Sequence, residues 1–237
     1  ADNATWRASF LSGLINQAGV ADLKRLFRAI ESAGGSLTEA EFDEFAKRLW
    51  AARDWRSLRA WIARTDGAGT TLVHDGGFDG KGRGPFLGWS QQRVAGADTQ
   101  LAADAGAGRT ALRVRFYDRR VPYAHTQQAL MLPPGRYHLS ALARPVDLRA
   151  ALGIRWVVTC VEKGRLLGQT ELVLGKGDWR KIGAHFEVPA DECGGQLVTL
   201  KLEARIAAEQ QAAGEAWFDD LAITAEVGNT AGPGSAR

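Results

Sequence analysis

The sequence predicts a mainly β chain, an antiparallel β-sandwich preceded by a small N-terminal α-helical segment. Three observations carry this reading. Apolar residues recur at three- and four-residue spacings as far as about residue 64, and at every second residue after about residue 72. About nine short strand-like runs with turn signals between them fill the second part. No run of strand, long helix and strand appears there, so a βαβ fold is excluded.

The helical segment is read first. Phe10, Leu11 and Leu14, then Leu23, Leu26, Phe27 and Ile30, form apolar stripes. Asp22 is one start signal, and Thr38 with Glu41 forms a capping box ahead of "EFDEFAKRLW". Gly34 and Gly35 stop the helix before it. The segment also repeats: "LINQAGVADLKRLF" from Leu14 overlays "LWAARDWRSLRAWI" from Leu49 at an offset of 35 residues. Leu23 then meets Leu58, Leu26 meets Trp61, Phe27 meets Ile62 and Phe10 meets Phe45. Two helical hairpins with matched core positions are expected. Their spacing resembles tetratricopeptide-like helical repeats, without the full consensus of those repeats. Two hairpins bury too little surface alone, so they are expected to lean on the second domain or to continue a solenoid upstream.

"TDGAGTT", residues 65–71, reads as a linker. This divides the chain into helical hairpins at 1–66, a sandwich at 67–226 and a flexible tail at 227–237. In the sandwich, "TALRVRFY" sets Leu112, Val114 and Phe116 on one face and Arg113, Arg115 and Tyr117 on the other. "QQALMLPPGRYHLSALARP" gives two strands around Pro-Pro-Gly, and "LGIRWVVTCVEKGRLLGQTELVL" two more around Lys163-Gly164. "WRKIGAHFEVP", "QLVTLKLEARI" and "AWFDDLAIT" complete the set.

Composition bounds the function. With 45% apolar and 24% charged residues and a net charge of +3, the chain is a soluble protein with a real core and no dense Lys/Arg run for nucleic acid. No apolar run reaches the length of a membrane span. The chain begins without a signal peptide or Met, as a processed chain or excised fragment does. Its two cysteines, Cys160 and Cys193, both fall in the β region, which suits one inter-strand disulfide in an oxidising, extracytoplasmic compartment; two buried free thiols are the other reading.

The glycine-rich run "LVHDGGFDGKGRGPFLGWSQ", residues 72–91, raises two chemical readings. A phosphate cradle needs a strand before it and a helix after it, and strand-like "GWSQQRV" follows instead. A cation site has more support. Asp219 shares its parity with Leu221 and Ile223, which should face the core, and an inward carboxylate needs a partner. Asp79 sits among Gly76, Gly77 and Gly80, and oxygen ligands from such a pair and nearby carbonyls suit Ca²⁺. The other reading has Asp79 capping a turn and Asp219 accepting backbone N–H bonds.

"GGFDG" with "GW", "QQALMLPPGRYHLSALAR", the "W…FEVP" pair and "AWFDDLAI" together resemble the carbohydrate-binding modules of the galactose-binding-domain-like jelly-roll class, over about residues 72–226. The resemblance implies a jelly-roll sandwich whose first and last strands lie side by side. It also implies a structural calcium held by Gly77, Asp79 and Asp219, and a polysaccharide or glycan partner.

Catalysis has no support in the pattern. The four histidines, at 74, 125, 138 and 185, are scattered, no G-x-S-x-G elbow occurs, and no facing carboxylate pair is legible. Sugar binding needs aromatic planes with polar side chains beside them, for which the candidates are Arg113, Arg115, Tyr117, Tyr123, Gln127 and Trp156. Trp156, in "GIRWVVTC" with both faces apolar, also fits core packing, and Trp89, Trp179 and Trp217 read as packing anchors at strand ends. The expectation is a non-catalytic, extracytoplasmic glycan-binding protein, in a role such as bacterial exopolysaccharide handling. A protein–protein interaction scaffold whose sandwich no longer binds sugar, with a protein partner met through the helical segment, and an accessory domain of a larger glycoside hydrolase, are the competing readings.

Overall fold

The computed structural model describes residues 10, 11, 13–15, 17–63, 72–80, 86–104 and 108–226. The expected linker at 65–71 and the tail at 227–237 lie outside them. A short helical stretch within residues 10–17 is followed by α1 (Val20–Ser32), α2 (Glu39–Ala51) and α3 (Trp55–Ile62). Ten strands follow: β1 (Ser90–Gln91), β2 (Ala97–Asp104), β3 (Arg109–Arg120), β4 (Thr126–Leu130), β5 (Gly135–Ala150), β6 (Gly153–Cys160), β7 (Leu166–Gln169), β8 (Arg180–Val188), β9 (Gln196–Glu203) and β10 (Gln211–Ala225).

These strands form an antiparallel jelly-roll sandwich of two five-stranded sheets. One has the order β1-β4-β9-β6-β7 and the other β2-β3-β10-β5-β8. The period-two pattern explains the core. Leu112, Val114 and Phe116 on β3 meet Leu139 and Ala141 on β5, Trp156 and Val158 on β6, and Val198 and Leu200 on β9 between the sheets. Strand β2 escapes the sequence reading because it is an alanine-rich edge strand with a weak burial pattern.

The helices have their own core, built on Leu23, Phe27, Phe45, Leu49, Leu58 and Trp61. The capping box is present. Glu41 N–H donates to Thr38 Oγ1 at 3.3 Å, and Thr38 N–H donates to the Glu41 carboxylate at 2.8 Å. Asp54 caps α3 by accepting from Ser57 N–H at 3.2 Å and also pairs with Lys24 of α1. Helices α1 and α3 begin 35 residues apart, and Leu23 and Leu58 are both fully buried. The matched pair Phe10–Phe45 does not hold. Phe45 is buried, while Phe10, on the outer stretch that has no helix beyond it among the described residues, is 53% exposed.

The helical unit packs on the sandwich. Phe86 N–H donates to buried Asp43 at 2.8 Å, and the Phe86 ring lies 5.6 Å from Trp50. Trp55 lies against Gly194 and Gly195, in the loop that the disulfide fixes. The expected Cys160–Cys193 bond is present and joins the end of β6 to this loop before β9.

Candidate ligand-binding face

The glycine-rich run closes the sandwich along β10. Leu72 N–H donates to Ile223 O at 3.0 Å, and Leu221 N–H donates to Gly76 O at 2.9 Å. A Cβ at Gly76 would stand 1.8 Å from Leu221 O, so only glycine allows this approach. Phe78 then plugs the core against Trp89, 5.1 Å away, with Trp156 behind at 6.3 Å. The run is an opening segment laid beside the last strand, as the jelly-roll resemblance implied.

Asp219 does not point inward. Ala216 and Phe218 face the core, so Trp217 and Asp219 face out from the sheet. The register on β5 then slips between Asp219 and Ala222, and Asp220 takes φ +48°. This extra residue restores Leu221 and Ile223 to the core and breaks the parity that the sequence alone suggests. Asp219 is nonetheless 2% exposed, because side chains cover it. Arg109 Nε ion-pairs with it at 2.8 Å, and Asp220 N–H donates to it at 2.8 Å. Burial pushes its carboxyl above the usual range, Asp220 N–H pulls it down, the Asp220 charge raises it, and Arg109 lowers it.

Asp79 donates its own N–H to Asp75 at 3.0 Å, and the Asp75 side chain is a carboxylate neighbour of it. Gly77 is exposed, with open space around a Cβ position. Asp219 is thus paired with Arg109 on the outer face of the sheet, which corrects the inward orientation expected for it in the set Gly77, Asp79 and Asp219.

The outer face of the sheet β2-β3-β10-β5-β8 carries a row of arginines and aromatic rings written by cross-strand register. Trp217 stands directly opposite Arg113 on β3 and Arg144 on β5. Both guanidinium groups lie by its ring, at 5.7 and 5.3 Å. Arg144 also lies 5.4 Å from the ring of Trp179, as Arg109 does at 5.3 Å. At the other end, Arg115 lies 5.4 Å from the ring of Tyr117. Carboxylates interleave. Asp104, 2% exposed, accepts from Arg144 Nη2 and from Trp179 Nε1, both at 2.8 Å. Glu215 accepts from Trp217 Nε1 at 3.3 Å. The row changes character along its length. Trp217 is covered at 8% exposure, whereas Tyr117 is 49% exposed and Arg115 is open beside it.

Of the six candidate binding residues, Arg113, Arg115 and Tyr117 lie together on this face. Three do not. Tyr123 is 1% exposed, with its hydroxyl bonded to Thr99 and Thr126 at 2.7 and 2.8 Å. Trp156 is fully buried against Phe218, so its apolar surroundings in sequence reflect a core position. Gln127 pairs with Thr199 on the outer side of the opposite sheet, because its neighbours Thr126 and Gln128 are the buried ones. Reading strands singly missed Asp104, Arg109, Arg144, Trp179, Glu215 and Trp217. Their signal is which residue stands opposite which, and that appears only once the register is known.

No family model matches the sequence, and no curated protein matches it. Solved structures do resemble the chain. One is the N-terminal endo-1,4-β-D-xylanase 10B of Clostridium thermocellum, a CBM22-1–GH10 pair complexed with xylohexaose. It is 16% identical over 66% of this chain and 29% of that one, with a TM-score of 0.44. A second is the C-terminal family 22 carbohydrate binding module of the same organism's Xyn10B, 17% identical over 68% of this chain and 97% of that one, with a TM-score of 0.46. A third is a Stig cyclase from Fischerella sp. TAU, 14% identical over 68% of this chain and 98% of that one, with a TM-score of 0.43.

Proposed function

We propose that the chain binds a polysaccharide, without acting on it chemically, along the outer face of the sheet β2-β3-β10-β5-β8. One observation carries this reading: the exposed ring of Tyr117 beside the open guanidinium of Arg115, continuous with the ordered row that runs through Arg113 and Trp217. A pyranose face stacks on such a ring while fixed guanidinium donors meet its oxygen atoms. The rigid sheet holds these groups without the entropy cost of ordering a loop. The motif resemblance to jelly-roll carbohydrate-binding modules supports the same reading. Asp104, Glu215 and Asp219, the carboxylates set among the stacked arginines, are each engaged by an arginine or an indole N–H, which suits recognition rather than acid–base work. The disulfide supports a place outside the cytoplasm, where an exopolysaccharide would be met.

Affinity electrophoresis in gels containing a range of soluble polysaccharides tests the reading. At least one should retard the wild type, and Tyr117→Ala should lower the affinity by roughly tenfold, the cost of about 1.4 kcal/mol from a truncated aromatic anchor. Retardation by none of them, or equal retardation of wild type and Tyr117→Ala, counts against this face. In the first case the scaffold reading, with protein partners, takes its place.

A further inference from the structure

We infer that the polysaccharide is acidic, and that a carboxylate or sulfate on it is gripped by Arg113 and Arg115. This rests on the outer face being the binding face. The four arginines of the row are not equivalent. Arg144 donates to Asp104 at 2.8 Å and Arg109 pairs with Asp219 at 2.8 Å, so each has a carboxylate at contact distance. Arg113 and Arg115 share a single one. Glu215 lies 3.5 Å from Nε of Arg113 and 3.7 Å from Nε of Arg115, too long for a good hydrogen bond to either. Arg113 Nε is shielded from water and without a hydrogen-bond partner among the described residues, as Nε of Arg109 and Arg144 also are, so the difference between the arginines lies in the distance to their carboxylates. On β2, Gln100 stands opposite Arg113 and Asp98 opposite Arg115, and neither is within ion-pair or hydrogen-bond reach of them among the described residues.

Two guanidinium groups are therefore held side by side, one on Trp217 and one on Tyr117, and among the described residues their terminal N–H groups donate no hydrogen bond. Arginine presents a planar fork that matches a carboxylate or sulfate, and stacking fixes the plane before the anion arrives. A neutral sugar would offer these forks only hydroxyl oxygens. The sugar ring that carries the anion would lie over Tyr117, the exposed aromatic at this end of the row.

The test compares polygalacturonate and dextran sulfate with neutral galactan and dextran by affinity electrophoresis at fixed salt, with single-stranded oligo-dT as a control polyanion. An acidic polysaccharide should bind at least about tenfold tighter than its neutral counterpart, the worth of one charge-assisted hydrogen bond. Polygalacturonate and dextran sulfate distinguish a carboxylate from a sulfate. Arg115→Gln, a change at a half-exposed side chain, should abolish that preference while leaving the melting temperature unchanged, and Arg115→Lys should restore only part of it. Tyr117→Ala should weaken acidic and neutral ligands alike. A neutral polysaccharide bound as well as its acidic counterpart would overturn the inference and leave the glycan-binding face standing. Oligo-dT binding as tightly as the acidic glycans would also overturn it, as simple polyanion attraction. Absence of all binding would remove both readings together.

Discussion

Trp55 of the helical unit rests on the bare backbone of Gly194 in the sandwich: a Cβ placed at Gly194 would lie 1.9 Å from Cδ1 of the indole. Gly195 beside it would meet the same ring at 2.8 Å. Both positions are therefore glycine because an aromatic ring from another part of the chain occupies the side-chain space. The helices have a small core of their own, and this contact, with Phe86 between Trp50 and Asp43, extends it onto the sandwich.

Gly194→Val should undock the helices. Overpacking a fitted contact costs about 1–3 kcal/mol. The melting temperature should fall, tryptophan emission should shift to the red as Trp50 and Trp55 meet water, and protease should cut the helical segment sooner. An unchanged proteolysis rate would show that the helices are held by other contacts.

The disulfide holds the loop that forms this seat. Cys160 and Cys193 are 33 residues apart, and closing a loop of that size stabilises the fold by about 3–4 kcal/mol in the chain-entropy treatment. Thiol titration of the denatured, unreduced protein should find no reactive thiol. Reduction should lower stability and, because Gly194 follows Cys193, should also expose the helical segment to protease. A reduced protein with an unaltered melting temperature would contradict this.

Buried Asp104 ties the row of arginines to the edge strand. Arg144→Leu removes the cationic partner of this buried carboxylate, which keeps Trp179 Nε1 among its donors, and should cost about 2–3 kcal/mol after allowance for the partial exposure of Arg144. Asp104→Asn should cost less, since Arg144 can turn to water. The double variant should be more stable than the sum of the two losses implies, because the residues share one interaction. Urea unfolding of the four proteins measures this; strict additivity would mean the pair is not coupled.

What was legible in the sequence was what one strand or one turn encodes by itself. Leu112, Val114 and Phe116 declare a core face by alternation, Thr38 and Glu41 declare a helix start, and two cysteines in one domain favour the bond that the structure contains over two free thiols. What stayed hidden depends on pairs of strands. Asp219 is read with Leu221 and Ile223 until the slip after it is seen, and slips leave no mark in composition. Trp217 and Trp179 look like isolated anchors until register sets Arg113 and Arg144 beside one and Asp104 beside the other. Trp156 failed as a site residue for a related reason. Apolar neighbours on both sides in sequence mark a strand buried on more than one face, and a ring there belongs to the core.

The carboxylates of Asp75 and Asp79 supply the last prediction. Burial pushes the Asp75 carboxyl above its ordinary range, the neighbouring Asp79 side chain and charge push it further, and the N–H groups of Asp79 and Gly80 pull it partly back. The folded state therefore holds the Asp75 proton more tightly than the unfolded chain does. With the folded pKa above the unfolded one, the contribution is fully present below the ordinary carboxylate range and is lost as pH rises from there through the folded value. Stability should thus show a component that falls as pH rises out of the acid range, and Asp75→Asn, which keeps the oxygen that accepts Asp79 N–H, should remove it and raise the melting temperature at neutral pH. The calcium expected from the motif resemblance falls to Gly77, Asp79 and Asp219, of which only Asp79 belongs to this pair, so a cation here is a different site from the expected one. A cation near this pair would offset the repulsion, so added Ca²⁺ should raise the melting temperature of the wild type at neutral pH, a chelator should reverse it, and Asp75→Asn should respond less. A wild type indifferent to Ca²⁺ whose acid-range dependence still vanishes in Asp75→Asn would leave the two carboxylates sharing a proton, with no ion between them.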